Sequence, residues 1–385
     1  MARCHYTQKG SIVAQVEFDR ILSDPLESSR QLAREGHRVI GYMDSYVPEE
    51  FIHALGMIPL RLLGSSESIT LADAHLPIFA GQQTRSILNQ GLKGDLSHFA
   101  GIVLSNSSDA IRTLYDLWQR HIPGQWASLV DVPAILEGEA NHRLFKSAML
   151  HFLNELEALA GHSLDPEALH RSIAVYNENR RLLKKVASLL ENSARQLTAE
   201  TYLDAVLSGF LVSKDRHNEM LRNLLNSSST GSSDPVQDLL PLHVSGPVLV
   251  DRSFLPLLRQ SGATMASEDL GTGSRYFWDE VNETGDPVEA VIDRYWSKIP
   301  ESYKLPMEPR WLHLAARMES GNARGAVFVV ERYSDEDQYD YPIFRDRLKQ
   351  RGIPSLQLDS EFVLGSEQAR TRLQTFIDIV KGRAS

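Results

Sequence analysis

Four short segments gather residue types that could handle an anionic or oxygen-bearing ligand. The first is Gly41-Tyr-Met-Asp-Ser-Tyr-Val-Pro-Glu-Glu-Phe-Ile-His53, in which Ser45 and Glu50 stand where a strand passes into a helix. Free backbone N–H groups at such a helix start can hold an anionic or carbonyl oxygen. The same residues also suit plain capping, with the acids favouring the helix dipole. Glu50 and His53 share a helix face and could pair without doing chemistry. The second segment is Gly81-Gln-Gln-Thr-Arg85-Ser86, where Arg85 could clamp a phosphate or carboxylate or hold a structural ion pair. The third, Glu268 to Phe277, places Gly271, Thr272, Gly273, Ser274 and Arg275 in one loop, a composition suited to a nest for an anion. The fourth comprises two matched pairs, Ser108-Asp109 and Ser334-Asp335, which read as helix caps when taken singly.

Familiar catalytic signatures are missing. There is no P-loop, no GxGxxG opening the first βα unit, no GxSxG elbow, no HExxH and no CxxC. The 13 histidines show no metal-ligand spacing. The single cysteine, Cys4, excludes a disulfide within the chain and cannot build a Cys-rich zinc or iron–sulfur site. In its polar tail it reads as a bystander thiol. A net charge of -10 argues against binding a nucleic-acid backbone, which needs a basic face. No apolar run reaches the roughly 18–20 residues of a membrane span, and the N-terminus has no signal-peptide core, so a cytoplasmic protein is the reading.

These residues need elements to position them, and the hydropathy pattern supplies an α/β scheme. With 385 residues the chain exceeds what one core accommodates, so several domains are expected. Strands are expected at Arg38–Tyr42, Ile58–Leu63, Gly101–Ser105 and Ala127–Val132, with helices at Pro48–Leu55 and Asp109–Arg120. From about Asn141 to Asn226, Leu, Ala, Glu, Arg and Lys recur at helical spacing, implying three or more helices. A Ser/Gly-rich linker or loop, Asn226 to Asp234, follows. The second α/β region is expected to hold strands at Pro247–Val250, Gly325–Val330 and Ser355–Leu358. Its helices fall at Phe254–Gln260, Ile343–Arg351 and Glu367–Val380. The divisions are 1–140, 141–235 and 236–385.

The two α/β regions echo one another. Gly101-Ile-Val-Leu, Ser108-Asp109 and Ile122-Pro123 are matched in order by Gly325-Ala-Val-Phe, Ser334-Asp335 and Ile353-Pro354. Right-handed crossovers put both Ser-Asp loops at the carboxyl ends of their sheets, where open α/β folds bind ligands. If the lobes face each other, Ser108 and Ser334 approach one cleft.

Several segments together resemble the subunits of 2-hydroxyacyl-CoA dehydratases and benzoyl-CoA reductases. The likeness runs through Val39-Ile-Gly-Tyr42, Tyr46 to Gly56, Pro59-Leu-Arg-Leu62, Leu76-Pro77, Arg85-Ser86 and Ser108-Asp109-Ala110. It continues through Asp269, Gly273 to Phe277, Gly352-Ile-Pro354, Gly365, Gln368, Thr371-Arg372 and Phe376-Ile377. The resemblance implies two flavodoxin-like parallel-sheet lobes with a helical segment between them. It also implies an acyl-CoA ligand and, in most relatives, a four-iron cluster held by three cysteines between the lobes and fed by a separate ATP-driven activator. The positions it assigns to those cysteines are Gly81, Ser108 and Ser334 here, and Gly271 stands where many relatives carry a further one. A serine alkoxide is a poor substitute for a thiolate, and glycine supplies no ligand.

The expectation is therefore a degenerate dehydratase (lyase) or reductase subunit with no cluster and no metal of its own, binding an acyl-CoA-like molecule between its lobes. Ser45 and Glu50 are the catalytic candidates, holding substrate oxygens. Arg85, Ser108, Thr272, Ser274, Arg275 and Ser334 are the binding candidates. Its partner would be a homologous subunit or a second copy of itself. The competing reading is a non-catalytic scaffold paired with a cluster-bearing homologue. A third is a different metal held by Ser, Asp and His.

Overall fold

The computed structural model describes residues 15–192, 197–228, 239–360 and 367–382. Cys4, Gly365 and most of the Ser/Gly-rich stretch lie outside the described residues.

Two four-stranded parallel sheets carry the fold. The first pairs β1 (Val39–Met43), β2 (Ile58–Arg61), β3 (Gly101–Ser105) and β4 (Trp126–Val130) in the order β2-β1-β3-β4. The second pairs β5 (Leu240–Gly246), β6 (Ala263–Leu270), β7 (Ala326–Glu331) and β8 (Ser355–Ser360) in the order β6-β5-β7-β8. Both sheets thus reverse direction of growth at the same place, between β1 and β3 and between β5 and β7. Such switch points open a crevice at the carboxyl ends of the strands. β1 and β3 are buried along their whole length, which is why they read as short unbroken apolar runs.

Two strands depart from the sequence reading. The strand expected at Pro247–Val250 lies instead at Leu240–Gly246. Its buried His243 and Ser245 hide it from hydropathy. No strand is expected at β6, and the segment beginning at Glu268 reads as a loop, yet Glu268 to Leu270 end that strand, their polar side chains buried. The helix expected from Ile343 starts at Asp335 and carries Pro342 inside it. The helices Pro287–Ser297 and Glu308–Ser320 have no counterpart in that reading.

Between the sheets the chain forms helices Glu139–Ala160, Pro166–Asn192, Ala199–Ser208 and Lys214–Ser228. Phe145, Met149, Phe152 and Leu156 make one buried stripe and share an apolar cluster with Tyr42 and Phe51 of the first lobe. Leu183, Val186, Tyr202 and Leu221 share another with Leu242 and Val244 of the second. The helical segment is thus a common platform for both sheets. A second tie joins the halves of the chain by backbone: Leu136 N–H donates to Leu305 O at 2.7 Å, and Leu305 N–H to Ala134 O at 2.9 Å. Among the described residues no helix is long and apolar enough to cross a membrane.

Candidate functional site

The carboxyl ends of both sheets open onto a cleft of about 1080 Å³. Asp44 follows β1, Arg61 ends β2, Asn106 to Asp109 follow β3, and Glu331 to Gln338 close it from the second lobe. Ser108 and Ser334 both line it. Each also caps the helix behind it: Ser108 Oγ accepts from Ile111 N–H and Ser334 Oγ from Asp337 N–H, both at 3.3 Å. Capping and lining are compatible, because the cap bond engages one lone pair of a hydroxyl.

Gly81 and Gly271 line the same cleft, and a carboxylate stands over each. A Cβ on Gly81 would lie 2.8 Å from Glu331 Oε1, and the backbone there has φ +81°, a conformation that favours glycine. That same oxygen accepts the N–H of Gln82 at 3.2 Å, so Glu331 of the second lobe caps the first-lobe helix Gln82–Lys93. A Cβ on Gly271 would lie 2.3 Å from Pro247 O and 2.7 Å from Glu301 Oε2.

Burial, reinforced by the charge of Asp337, pushes the Glu331 carboxyl up to about 7. Burial likewise raises Asp337 to about 6. A raised carboxyl favours the protonated folded state, so its ionisation progressively weakens the fold between the ordinary value near 4.5 and about 7. Glu331→Gln should therefore leave stability nearly unchanged at pH 5. At pH 8 it should raise it by roughly 1–3 kcal/mol, discounted for partial solvent access. Urea unfolding at the two pH values checks this, and an equal effect at both would refute it.

Most of the other predicted residues face inward. Ser45 is buried, donates to Glu301 Oε1 at 2.7 Å and accepts from Lys298 Nζ at 3.2 Å. Burial would raise Glu301, but Arg275, Lys298 and the Ser45 hydroxyl outweigh it and bring that carboxyl to about 2. Burial brings Lys298 down to about 8. Glu50 is fully buried in an ion pair with Arg180, with the Tyr295 hydroxyl on its other oxygen at 3.0 Å. His53 turns away from it to Ser172 Oγ at 2.9 Å. Arg85 pairs with Asp73.

The Gly-rich turn is a nest, but its anion comes from the chain. Glu268 accepts the N–H groups of Leu270 at 2.6 Å and Ser274 at 2.8 Å, and the Tyr202 hydroxyl also donates to it. Thr272 Oγ1 accepts from Leu249 N–H at 3.2 Å, and Ser274 Oγ lies 2.9 Å from His313 Nε2. Arg275 donates to Gly246 O and reaches Glu301 at 3.5 Å. Of the eight predicted site residues, only Ser108 and Ser334 are on the cleft wall.

Sequence reasoning missed Arg61, Glu301, Tyr303, Lys304 and Glu331, which also line the cleft. Glu301 to Lys304 lie between Pro300 and Pro306, a pattern that signals a turn but not a ligand wall. Among the described residues no three His, Cys, Asp or Glu side chains converge as a metal-ligand set.

Fold and cleft define a two-lobed α/β protein whose lobes present the switch points of their sheets to a shared cavity. Residues 44–380 match the model of the family described as 2-hydroxyglutaryl-CoA dehydratase, D-component. The chain belongs to that family. It is 22% identical to the (R)-phenyllactyl-CoA dehydratase beta subunit of Clostridium sporogenes, over 94% of this chain and 96% of that one. It is 25% identical to a benzoyl-CoA reductase subunit of Thauera aromatica, over 91% and 92%. With the (R)-2-hydroxyglutaryl-CoA dehydratase subunit beta of Acidaminococcus fermentans it shares 20% identity over 94% and 97%.

Proposed function

We propose that this chain is a dehydratase- or reductase-type subunit that binds an acyl-CoA or related acyl ligand between its lobes and carries no iron–sulfur cluster. The observation that carries the reading is the cleft itself, placed at the carboxyl ends of both sheets and wide enough for a pantetheine-linked acyl group. Ser108 and Ser334 offer hydroxyls to the ligand's oxygens there. The donor set supports the second half of the proposal. Glycine and serine occupy the positions assigned to thiolates, and the side-chain space at Gly81 and Gly271 is taken by Glu331 and Glu301. These residues do not fit a thiolate-held cluster. The relatives are each named as one subunit of an enzyme, which supports a homologous partner or a second copy.

One observation favours a scaffold instead: Ser45, Glu50 and Arg275 are engaged by the protein's own groups. Calorimetric titration with butyryl-CoA separates the two. Ligand binding predicts saturable heat in the full chain, weakened about tenfold or more by Ser108→Trp, which obstructs the cleft wall while giving up only one cap of about 1 kcal/mol. No heat with the unaltered chain would leave the scaffold. Stoichiometric iron in anaerobically purified protein would overturn the cluster-free assignment.

A further inference from the structure

We infer that Arg61 is an anchor for an oxyanionic group, a carboxylate or a phosphate ester, entering the cleft. The inference rests on the cleft being a ligand site and names a chemistry for one end of it. Arg61 closes β2 in register with Tyr42, and its backbone N–H is fixed to Phe210 O at 2.9 Å. Its side chain lies over the Phe210 ring, 5.0 Å from the centroid. The residue is only 6% exposed, yet Nε and Nη1 are buried with no hydrogen-bond partner among the described residues.

That state is unusual for a guanidinium. It carries five N–H donors, so burial without an acceptor leaves donors unsatisfied even though the charge of Glu301 is felt nearby. The other buried arginines each have an acceptor: Arg180 has Glu50, Arg275 has Gly246 O and Glu301, Arg294 has Tyr276 O, Arg310 has Asp340, and Arg317 has Glu191. None of the nearby acids hydrogen-bonds Arg61, although Glu301 feels its charge. Glu301 serves Ser45, Lys298 and Arg275, and Asp44 serves the Tyr303 hydroxyl.

The position is also suited to a ligand. Arg61 lines the 1080 Å³ cleft and, on its other side, a cavity of about 850 Å³ beside Leu63, Leu211 and Arg252. A guanidinium in the wall between two chambers can donate to a carboxylate or phosphate while the rest of the ligand extends into either.

The test is thermal unfolding of the full chain with glutarate or inorganic phosphate as probe, in unaltered protein, Arg61→Met and Arg61→Lys. An anion that binds only the folded chain raises Tm by mass action. The rise should vanish in Arg61→Met and persist in reduced form in Arg61→Lys. Glutarate alone acting would assign the site to carboxylates; phosphate alone would assign it to phosphate esters. Without added anion, Arg61→Met should melt no lower than the unaltered chain, since buried donors without acceptors have been replaced by an apolar stem. A rise from neither anion, or one that survives Arg61→Met, overturns the inference, as does a loss of Tm in Arg61→Met without anion. Butyryl-CoA binding without an anion response would sink only this inference. An anion response without butyryl-CoA binding would sink only the acyl-CoA reading.

Discussion

Glu50→Ala should cost the fold about 3–5 kcal/mol, read by urea unfolding followed by fluorescence. The carboxylate is fully buried against the equally enclosed Arg180, and removal strands that cation along with the hydroxyl of Tyr295. Burial alone would raise the Glu50 carboxyl, but Arg180 and Arg294 outweigh it and hold it below its ordinary value. A depressed carboxyl stabilises the fold above its unfolded value near 4.5 and loses that contribution as pH falls through the lower folded value. The penalty of Glu50→Ala should accordingly be full at pH 7 and shrink in acid. Loss of ligand binding in this variant would report damage to the platform that holds the first lobe. A penalty below about 1 kcal/mol would show that the pair is dispensable.

Arg310→Met should be comparably severe, about 3–5 kcal/mol, with a local signature. Arg310 is 1% exposed and acts as a post behind the cleft wall. Its Nη1 donates to Glu301 O at 2.6 Å and Lys304 O at 2.7 Å, and its Nη2 to Asp340 at 2.5 Å. Methionine fills much of the volume but strands two carbonyls and a carboxylate. Amide hydrogen exchange should accelerate through residues 299–305 before other parts of the second half. Uniform exchange across the chain would contradict the assigned role.

The contrast between what was legible and what was not has a physical cause. β3 and the helix Phe254–Gln260 fall where hydropathy puts them, because an element buried on both faces, or along one stripe, must be apolar there. The matched Ser-Asp pairs were legible because a strand end, a cap and a crossover recur in fixed order, and the structure sets both at one cleft. β5 and all of β6 were not, since His243, Ser267 and Asp269 satisfy one another inside the core: His243 lies 2.9 Å from Ser267 Oγ and 3.0 Å from Asp269. Such residues look like loop or ligand-binding groups until their partners are known. The same applies to Glu50 and Arg275, whose partners lie 130 residues away at Arg180 and 26 residues away at Glu301. The carboxylates over Gly81 and Gly271 were equally invisible, because a glycine in a sequence does not say what fills the space beside it.

The backbone tie of Ala134 and Leu136 to Leu305 makes the two margins of the cleft mechanically unequal. On that margin the halves are stitched by main-chain hydrogen bonds, with Tyr303 on Asp44 and Ser45 on Glu301 beside them. At a second contact between the lobes, Gln82 meets Glu331 through one carboxyl that burial pushes up to about 7. Breathing of the lobes would pivot about the first margin and gape at the second. The cleft would then work as a jaw with a fixed joint.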